Sequence, residues 1–288
     1  MLSRPLLRAV ELVRRHNGYA VPRTGARLHE AVRRSLPERA DVELLPGVRT
    51  ELDLRQPVEL QSWWQGGRYE HPTTQRLDDW SATASAFFDI GANYGFFTLR
   101  AHHAGCPEVH AFEPNPVLHE RLSATVARNG LGGVRCHNLG LGDSPSRLAL
   151  QVREADLGHS SFGPRTWDDG HTVTVDVVTF DGWRASAGLD LPQEPRWVAK
   201  IDVEGYERRV LEGMVEALGA AAFQAVVVEL NELTLQSCGT SAADVVSLLA
   251  ASGYVNVDGG AVPRSGADQR VRNGFFVPAG ARDLEVRE

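Results

Sequence analysis

Lysine is almost missing from this chain. Of its 30 lysine and arginine residues a single one, Lys200, is lysine, and all the others are arginine. A GC-rich genome produces such a bias. It also marks Lys200, because a guanidinium cannot replace a compact, titratable ammonium. Cysteine is scarce too. Cys106, Cys136 and Cys238 lie far apart with no Cys-x-x-Cys pair, which argues against a zinc ribbon or a disulfide framework and suits a reducing cytoplasm. No apolar run approaches the roughly 20 residues that span a bilayer. Arg8, Glu11, Arg14 and Arg15 interrupt the N-terminal leucines, so a signal peptide is not expected and a cytoplasmic location is. A basic excess is absent as well: the net charge is −7, which speaks against a nucleic-acid surface. Internal repeats and low-complexity segments are not seen.

What remains is an ordinary globular composition, 42% hydrophobic and 23% charged over 288 residues. That length suits one large domain with an N-terminal extension. We place the extension at residues 1–80 and the main domain at 81–288. Leu6, Leu7, Val10 and Val13 fall at helical spacing, Ala26 to Leu36 is an Arg-rich amphipathic segment, and Pro37 ends it. Partial alternation from Glu43 to Leu60 predicts a hairpin. Trp63, Trp64, Tyr69 and His71 then cluster near Gly66 and Gly67. Packing of the extension against the main domain is the first explanation for them, and a lid over a pocket the second.

From residue 85 strands and helices alternate. Strands are expected at Phe87 to Ile90, Val109 to Phe112 and Val134 to Leu139, with helices at Gly95 to His103 and Pro116 to Asn129. Residues 144–180 break the rhythm. Arg147 to Val152 and Thr172 to Val178 alternate like antiparallel strands around the polar loop Gly158-His159-Ser160-Ser161, an insertion of the kind that sits over a substrate edge. The rhythm resumes with strands at Trp197 to Asp202 and Ala225 to Leu230 and helices at Tyr206 to Leu218 and Ser241 to Ser252. Tyr254 to Asp258 and Gly274 to Pro278 read as a closing hairpin pair, with the loop Gly259 to Asp268 between them. Successive βα units predict an α/β fold with a doubly wound, mostly parallel sheet.

The stretch Phe87-Phe88-Asp89-Ile90-Gly91-Ala92-Asn93-Tyr94-Gly95 carries the first chemical signal. An unalternating apolar strand leads into a glycine turn and then a helix N-terminus, the arrangement of a nucleotide-type cofactor site. Glu113 closes the second strand roughly 20 residues beyond this loop, where an acid bonds the ribose hydroxyls of such a cofactor. A helix N-terminal acid favoured by the macrodipole is the plainer alternative. The loop lacks Gly-x-Gly-x-x-Gly. Asp89 and Asn93 suit the ammonium and carboxylate of an amino acid better than a diphosphate, which points to S-adenosylmethionine and away from a nicotinamide cofactor.

Lys200, Asp202 and Glu204 form the second signal. Lys200 and Asp202 share one side of a strand by the period of two. Asp202 ends that strand beside the first one, and Glu229 and Asn231 end the next. Three roles stay open. Asp202, Glu229 and Asn231 suit a hard divalent cation such as Mg2+ that would acidify a substrate hydroxyl. Without a metal, Asp202, Glu204 or His159 would serve as general base. Lys200 would otherwise pair with Glu204 or Glu229 and fix the loop.

Four blocks together resemble the FkbM-type methyltransferases, over about Glu51 to Val277. They are Asp89-Ile90-Gly91-Ala92-Asn93-Tyr94-Gly95, Phe112-Glu113-Pro114, Leu139-Gly140-Leu141-Gly142-Asp143, and Lys200-Ile201-Asp202-Val203-Glu204-Gly205-Tyr206-Glu207. The resemblance implies a seven-stranded, Rossmann-like class I methyltransferase sheet and S-adenosylmethionine-dependent O-methylation of a small-molecule hydroxyl, on a natural product or a sugar. It carries Gly91 and Glu113 over as cofactor contacts, beside Asp89, Asn93 and Gly95 of the same loop, and offers Asn138 or Asp143 for the adenine. Two other classes stay in view: a Rossmann-type NAD-dependent oxidoreductase, and a cofactor-binding partner subunit without activity.

Overall fold

The computed structural model describes residues 36–66, 69–164, 168–257 and 272–281. The helices expected over residues 1–35 and the loop Gly259 to Asp268 lie outside them.

Alternation makes the first element. Val48, Thr50 and Leu52 are buried while Arg49 and Glu51 are exposed, and β2 (Val48–Asp53) pairs antiparallel with β1 (Arg39–Leu45). The hairpin therefore lies upstream of where alternation alone put it. Pro57, which lacks an N–H and suits a first helical turn, instead opens helix α1 (Pro57–Gln65), followed by α2 (His71–Ser81).

The βα series then runs β3 (Ala86–Ile90), α3 (Phe96–His103), β4 (Val109–Phe112), α4 (Pro116–Asn129) and β5 (Val134–His137). Asn115 caps α4 by accepting from Val117 N, and Gly130 ends it in the left-handed region. The insertion is a small sheet of its own, with β6 (Gly140–Leu141), β8 (His171–Val178) and β7 (Ser146–Val152) in that spatial order. The main series resumes with α5 (Phe180–Ser186), β9 (Trp197–Ile201), α6 (Glu207–Glu212), α7 (Val215–Gly219), β10 (Phe223–Leu230), α8 (Glu232–Ser237), α9 (Ala242–Ala251), β11 (Tyr254–Asn256) and β12 (Arg272–Pro278). One helix was expected across α6 and α7. It breaks at Gly213, whose backbone presses against Gly142 so closely that a Cβ there would lie 2.0 Å from the Gly142 carbonyl oxygen.

Seven strands form the main sheet in the order β11-β12-β10-β9-β3-β4-β5. β3, β4, β5, β9 and β10 are parallel, and β12 enters antiparallel between β10 and β11. The chain winds outward from β3 through β4 to β5, then returns to β9 and winds the other way. The switch point is therefore between β3 and β9, where ligands bind in such sheets.

Both sheet faces are covered, which is why the strand sequences do not alternate in polarity. Phe88, Ile90, Trp197 and Val228 face a core shared with Phe180, Leu211 and Leu249. Phe87, Val198 and Val227 face the other, shared with Leu52, Leu60, Leu77 and Trp80. Residues 36–81 thus pack directly on the sheet. No helix among the described residues is long and apolar enough to cross a membrane.

One buried ion pair joins this extension to the βα series. The Arg121 guanidinium on α4 grips both oxygens of Glu59 on α1, at 2.8 and 2.6 Å, and Glu59 is only 2% exposed. Removing the cation leaves a buried carboxylate with Asp53 N as its remaining donor. Arg121→Ala should cost about 3 kcal/mol of unfolding free energy. Arg39→Ala, which breaks the exposed pair with Glu51, should cost less than about 1 kcal/mol. Urea midpoints of the two variants check this; equal small shifts would refute it.

Candidate functional site

The site begins with a contact between two backbones. Asp202 N donates to Ile90 O at 2.9 Å, so the end of β9 is laced to the end of β3. Gly91 sits at φ +83°, and a Cβ there would lie 1.8 Å from the Asp202 carbonyl oxygen. Glycine at 91 is thus required by the neighbouring strand as well as by the turn. Asn93 takes φ +54°, a region that asparagine tolerates. Its N–H donates to Glu113 Oε2 at 2.7 Å, and Asn115 N donates to Glu113 Oε1 at 2.8 Å. Glu113, 6% exposed, therefore clamps the glycine loop to the start of α4. Burial pushes its carboxyl up to about 7, against the two backbone donors.

These loops wall a cavity of about 300 Å³ at the carboxyl ends of β3, β4, β9 and β10. Gly91, Asn93 and Glu113 line one side; Lys200, Asp202, Glu204, Glu229 and Asn231 line the other. Val58 of α1, Tyr69 and Glu70 before α2, and Leu157 to Phe162 of the insertion close over it. Gln56 holds the cover: its Oε1 accepts from Leu157 N at 2.8 Å and its Nε2 donates to Glu154 O at 3.2 Å. Extension and insertion, the two segments without a readable motif, thus both shape the cavity.

On the acidic side Lys200 Nζ lies 2.6 Å from Asp202 Oδ2 and 4.5 Å from the centre of the Phe97 ring. Asp202, and neither Glu204 nor Glu229, is its partner. Burial opposes the lysine charge, yet Asp202, with Glu70 and Asp89 farther off, raises its pKa above the ordinary value. Glu204 stands at φ +53° in the turn after β9. Burial pushes it up to about 8, with Asp202 adding and His159 opposing. Burial also holds Glu229 well above the carboxylate range, reinforced by Asp202 and Glu204. Glu204 Oε2 and Glu229 Oε2 are buried with no hydrogen-bond partner.

Several expected residues stand elsewhere or act otherwise. Asp89 is 1% exposed, accepts from Thr98 Oγ1 at 2.5 Å and does not border the cavity. Gly95 lies behind the wall, where a Cβ would meet Leu122 Cδ1 at 2.2 Å. Asn138 is exposed and donates to the Glu113 and Pro114 carbonyls, and Asp143 holds Arg209 at 2.6 Å. Neither reaches the cavity; the apolar Leu139, Gly140 and Leu141 between them do. Asn231 does line it, but its Oδ1 accepts from Leu233 N and caps α8, so that oxygen is engaged. His159 Nδ1 lies 2.8 Å from Asp156 Oδ2, and that bond drives the imidazole up to about 9.

The sequence reading missed Glu70 and Asp156, and offered Tyr69 only as one of a cluster. Tyr69 belongs to the aromatic cluster that gave the one available signal. It lines the cavity while its ring packs edge-on against Phe96, so packing and covering are one role. Trp63 and Trp64 pack edge to edge and do not line the cavity, and His71 opens α2 at the surface.

The chain has known relatives. A family model described as the methyltransferase FkbM domain matches residues 89–255, more than half of the chain. The 31-O-demethyl-FK506 methyltransferase FkbM of Streptomyces tacrolimicus is 30% identical over 200 residues, covering 59% of this chain and 72% of that protein. The hexuronic acid methyltransferase AglP of Haloferax volcanii is 29% identical over 165 residues, 56% of this chain and 60% of that one. Methyltransferase 1 of Beauveria bassiana is 28% identical over 152 residues, 45% and 58%. The chain thus spans about three fifths of the length of two of these relatives.

The Gly91 contact separates steric clash from backbone strain. Gly105 is also left-handed, at φ +101°, but a Cβ there meets nothing within 4 Å. Gly105→Ala should cost about 1–2 kcal/mol, the strain alone. Gly91→Ala should cost more than about 3 kcal/mol, since strain and an overlap with fixed backbone add. Thermal unfolding of both variants checks the difference.

Proposed function

The chain belongs to the methyltransferase FkbM family, and we propose that it is an S-adenosylmethionine-dependent O-methyltransferase acting on a hydroxyl of a small molecule. The observation that carries this reading is the pairing of charges around the cavity. Among the described residues that line it, Lys200 and His159 are the cationic side chains, and each already faces a carboxylate, Asp202 or Asp156. A diphosphate finds no unpaired cation there, which disfavours a nicotinamide cofactor. A cofactor with a ribose, an amino-acid end and no phosphate fits.

Glu113 would accept the ribose hydroxyls, as the acid at this strand end does in related folds. Its two oxygens already hold the loop, so the carboxylate is fixed in place before any ligand arrives. Gly91 and Asn93 would border the amino-acid end, and Leu139 to Leu141 offer an apolar wall for a base. S-adenosylmethionine supplies a methyl group already activated by its sulfonium. The chain's own task is to hold an acceptor hydroxyl in line and to take its proton. Asp202, paired with Lys200, is the carboxylate placed for that proton; Glu204 and Glu229 stand beside it. A cavity of about 300 Å³ with carboxylates on one wall suits a small hydroxylated acceptor. The relatives' names agree in kind, since one is named for a hexuronic acid and another for 31-O-demethyl-FK506.

Calorimetry with S-adenosylmethionine and with NAD tests the cofactor, and mass-spectrometric screening of candidate alcohols for methyl gain tests the reaction. Asp202→Asn should lower kcat at least about 100-fold while cofactor affinity stays close to wild type. Full activity of that variant would sink the assignment. Glu113 adds a pH signature. Its carboxyl titrates at about 7, and the ionised form is the better acceptor for ribose hydroxyls. Cofactor affinity should therefore rise as pH increases from 6 to 8, and Glu113→Gln should bind about tenfold more weakly with that rise abolished.

A further inference from the structure

We infer that Asp202, Glu204 and Glu229 hold one hard divalent cation on the acceptor side of the cavity. The topology brings them together. β9 and β10 are parallel neighbours, with Ile201 opposite Val228, so Asp202 just past β9 and Glu229 near the end of β10 come out side by side. Glu204 reaches the same point from the turn, its backbone held by Ser161 Oγ, which donates to the Glu204 carbonyl at 2.7 Å. One carboxylate oxygen from each of the three lies within 4.8 Å of the others. Oxygens bound to a single Mg2+ or Ca2+ at about 2.0–2.6 Å lie at most about 4–5 Å apart. The three are therefore close enough to share an ion with little movement.

A second observation points to a ligand there. Glu229 is 9% exposed, and its Oε2 is buried without any hydrogen-bond donor; Glu204 Oε2 is in the same condition. Orphaned buried polar atoms are rare and costly. Among the described residues, the cations that line the cavity do not relieve them, since Lys200 bonds Asp202 and His159 bonds Asp156. With one ammonium among three carboxyl groups, two carboxyls lack a counter-cation, and a divalent ion would supply it as their protons leave. The donors are all oxygen, which selects Mg2+, Mn2+ or Ca2+ over softer ions. The ligand set differs from the one that the strand ends suggested: Asn231 caps α8 with its amide oxygen, and Glu204 takes its place. Three protein ligands leave coordination positions open for acceptor oxygens. The ion's role in transfer rests on the function proposed above; its binding does not.

The full chain, stripped with a chelator and dialysed, is titrated with Mn2+ and the free ion followed by electron paramagnetic resonance. One saturable site per chain is expected. Glu229→Gln and Glu204→Gln should each weaken it roughly tenfold or more, whereas Asp143→Asn, away from the cavity, should leave it unchanged. Circular dichroism checks that each variant is folded, and either glutamine variant suffices if the other is not. Absence of saturable Mn2+ binding at millimolar concentration, or undiminished binding in the folded glutamine variants, overturns the site. Calorimetry with S-adenosylmethionine on the same preparation keeps the two claims apart. Cofactor binding without Mn2+ binding removes the cation and leaves the function. Mn2+ binding without cofactor binding supports the cation site and removes the function.

Discussion

The backbone contact between Gly91 and Asp202 is the constraint on which the rest of the site depends. It sets the end of β3 against the end of β9 with no side chain between them. The glycine loop and the acidic turn thereby become two walls of one cavity at the switch point of the sheet. The neighbouring loops are built on the same plan. Glu113 reaches from the end of β4 to hold Asn93 N, and Glu207 reaches back to hold Val203 N and Gly205 N at 3.1 Å each. A Cβ on Gly205 would lie 2.3 Å from the Thr234 carbonyl oxygen, so the acidic turn is also pressed against α8. Burying Glu207 pushes its carboxyl up to about 7. The arrangement thus trades solvation of two glutamates for loops that are in place before a ligand binds.

What the sequence made legible is what local physics decides. The apolar runs around Phe87 and Val198 read as strands because both sheet faces are covered, and period two separates Phe87 from Phe88 onto different cores. The helix start at Ser241 and the helix end before Gly130 read correctly because each needs a residue type at one place. The same period put Lys200 and Asp202 on one side, where they form their ion pair. Tertiary contacts decided the rest. The break at Gly213 comes from Gly142, far away in the chain, and the hairpin ends early because Pro57 begins a helix that then docks on α4 through Arg121. Asn138 and Asp143 belong to a well-formed motif, yet their side chains face outward while the apolar residues between them face in. Spacing names the segment that borders a site; it does not say which of its side chains turn inward. Glu70 gave no signal at all, since its left-handed backbone, φ 47°, carries no residue preference that a glutamate would betray.

The lone lysine closes the argument about charge. Lys200 is 2% exposed, with its ammonium wedged between the Phe97 face and Asp202. A guanidinium is broader, planar and seeks two acceptors in a fork, and this slot offers one carboxylate oxygen and an aromatic face. In a chain that otherwise uses arginine for its basic residues, the exception falls where shape excludes arginine. That placement has a consequence for the cavity. Lys200 hydrogen-bonds Asp202 and neither Glu204 nor Glu229, so those two keep their demand for a proton or a cation, and Glu70 adds another acid to the same wall. A neutral ligand with hydroxyl donors meets a field that favours it, because carboxylates accept. An anionic group on a ligand must either point away from this wall or bring a cation with it. The charge pattern around one buried ammonium therefore restricts which molecules this cavity can take.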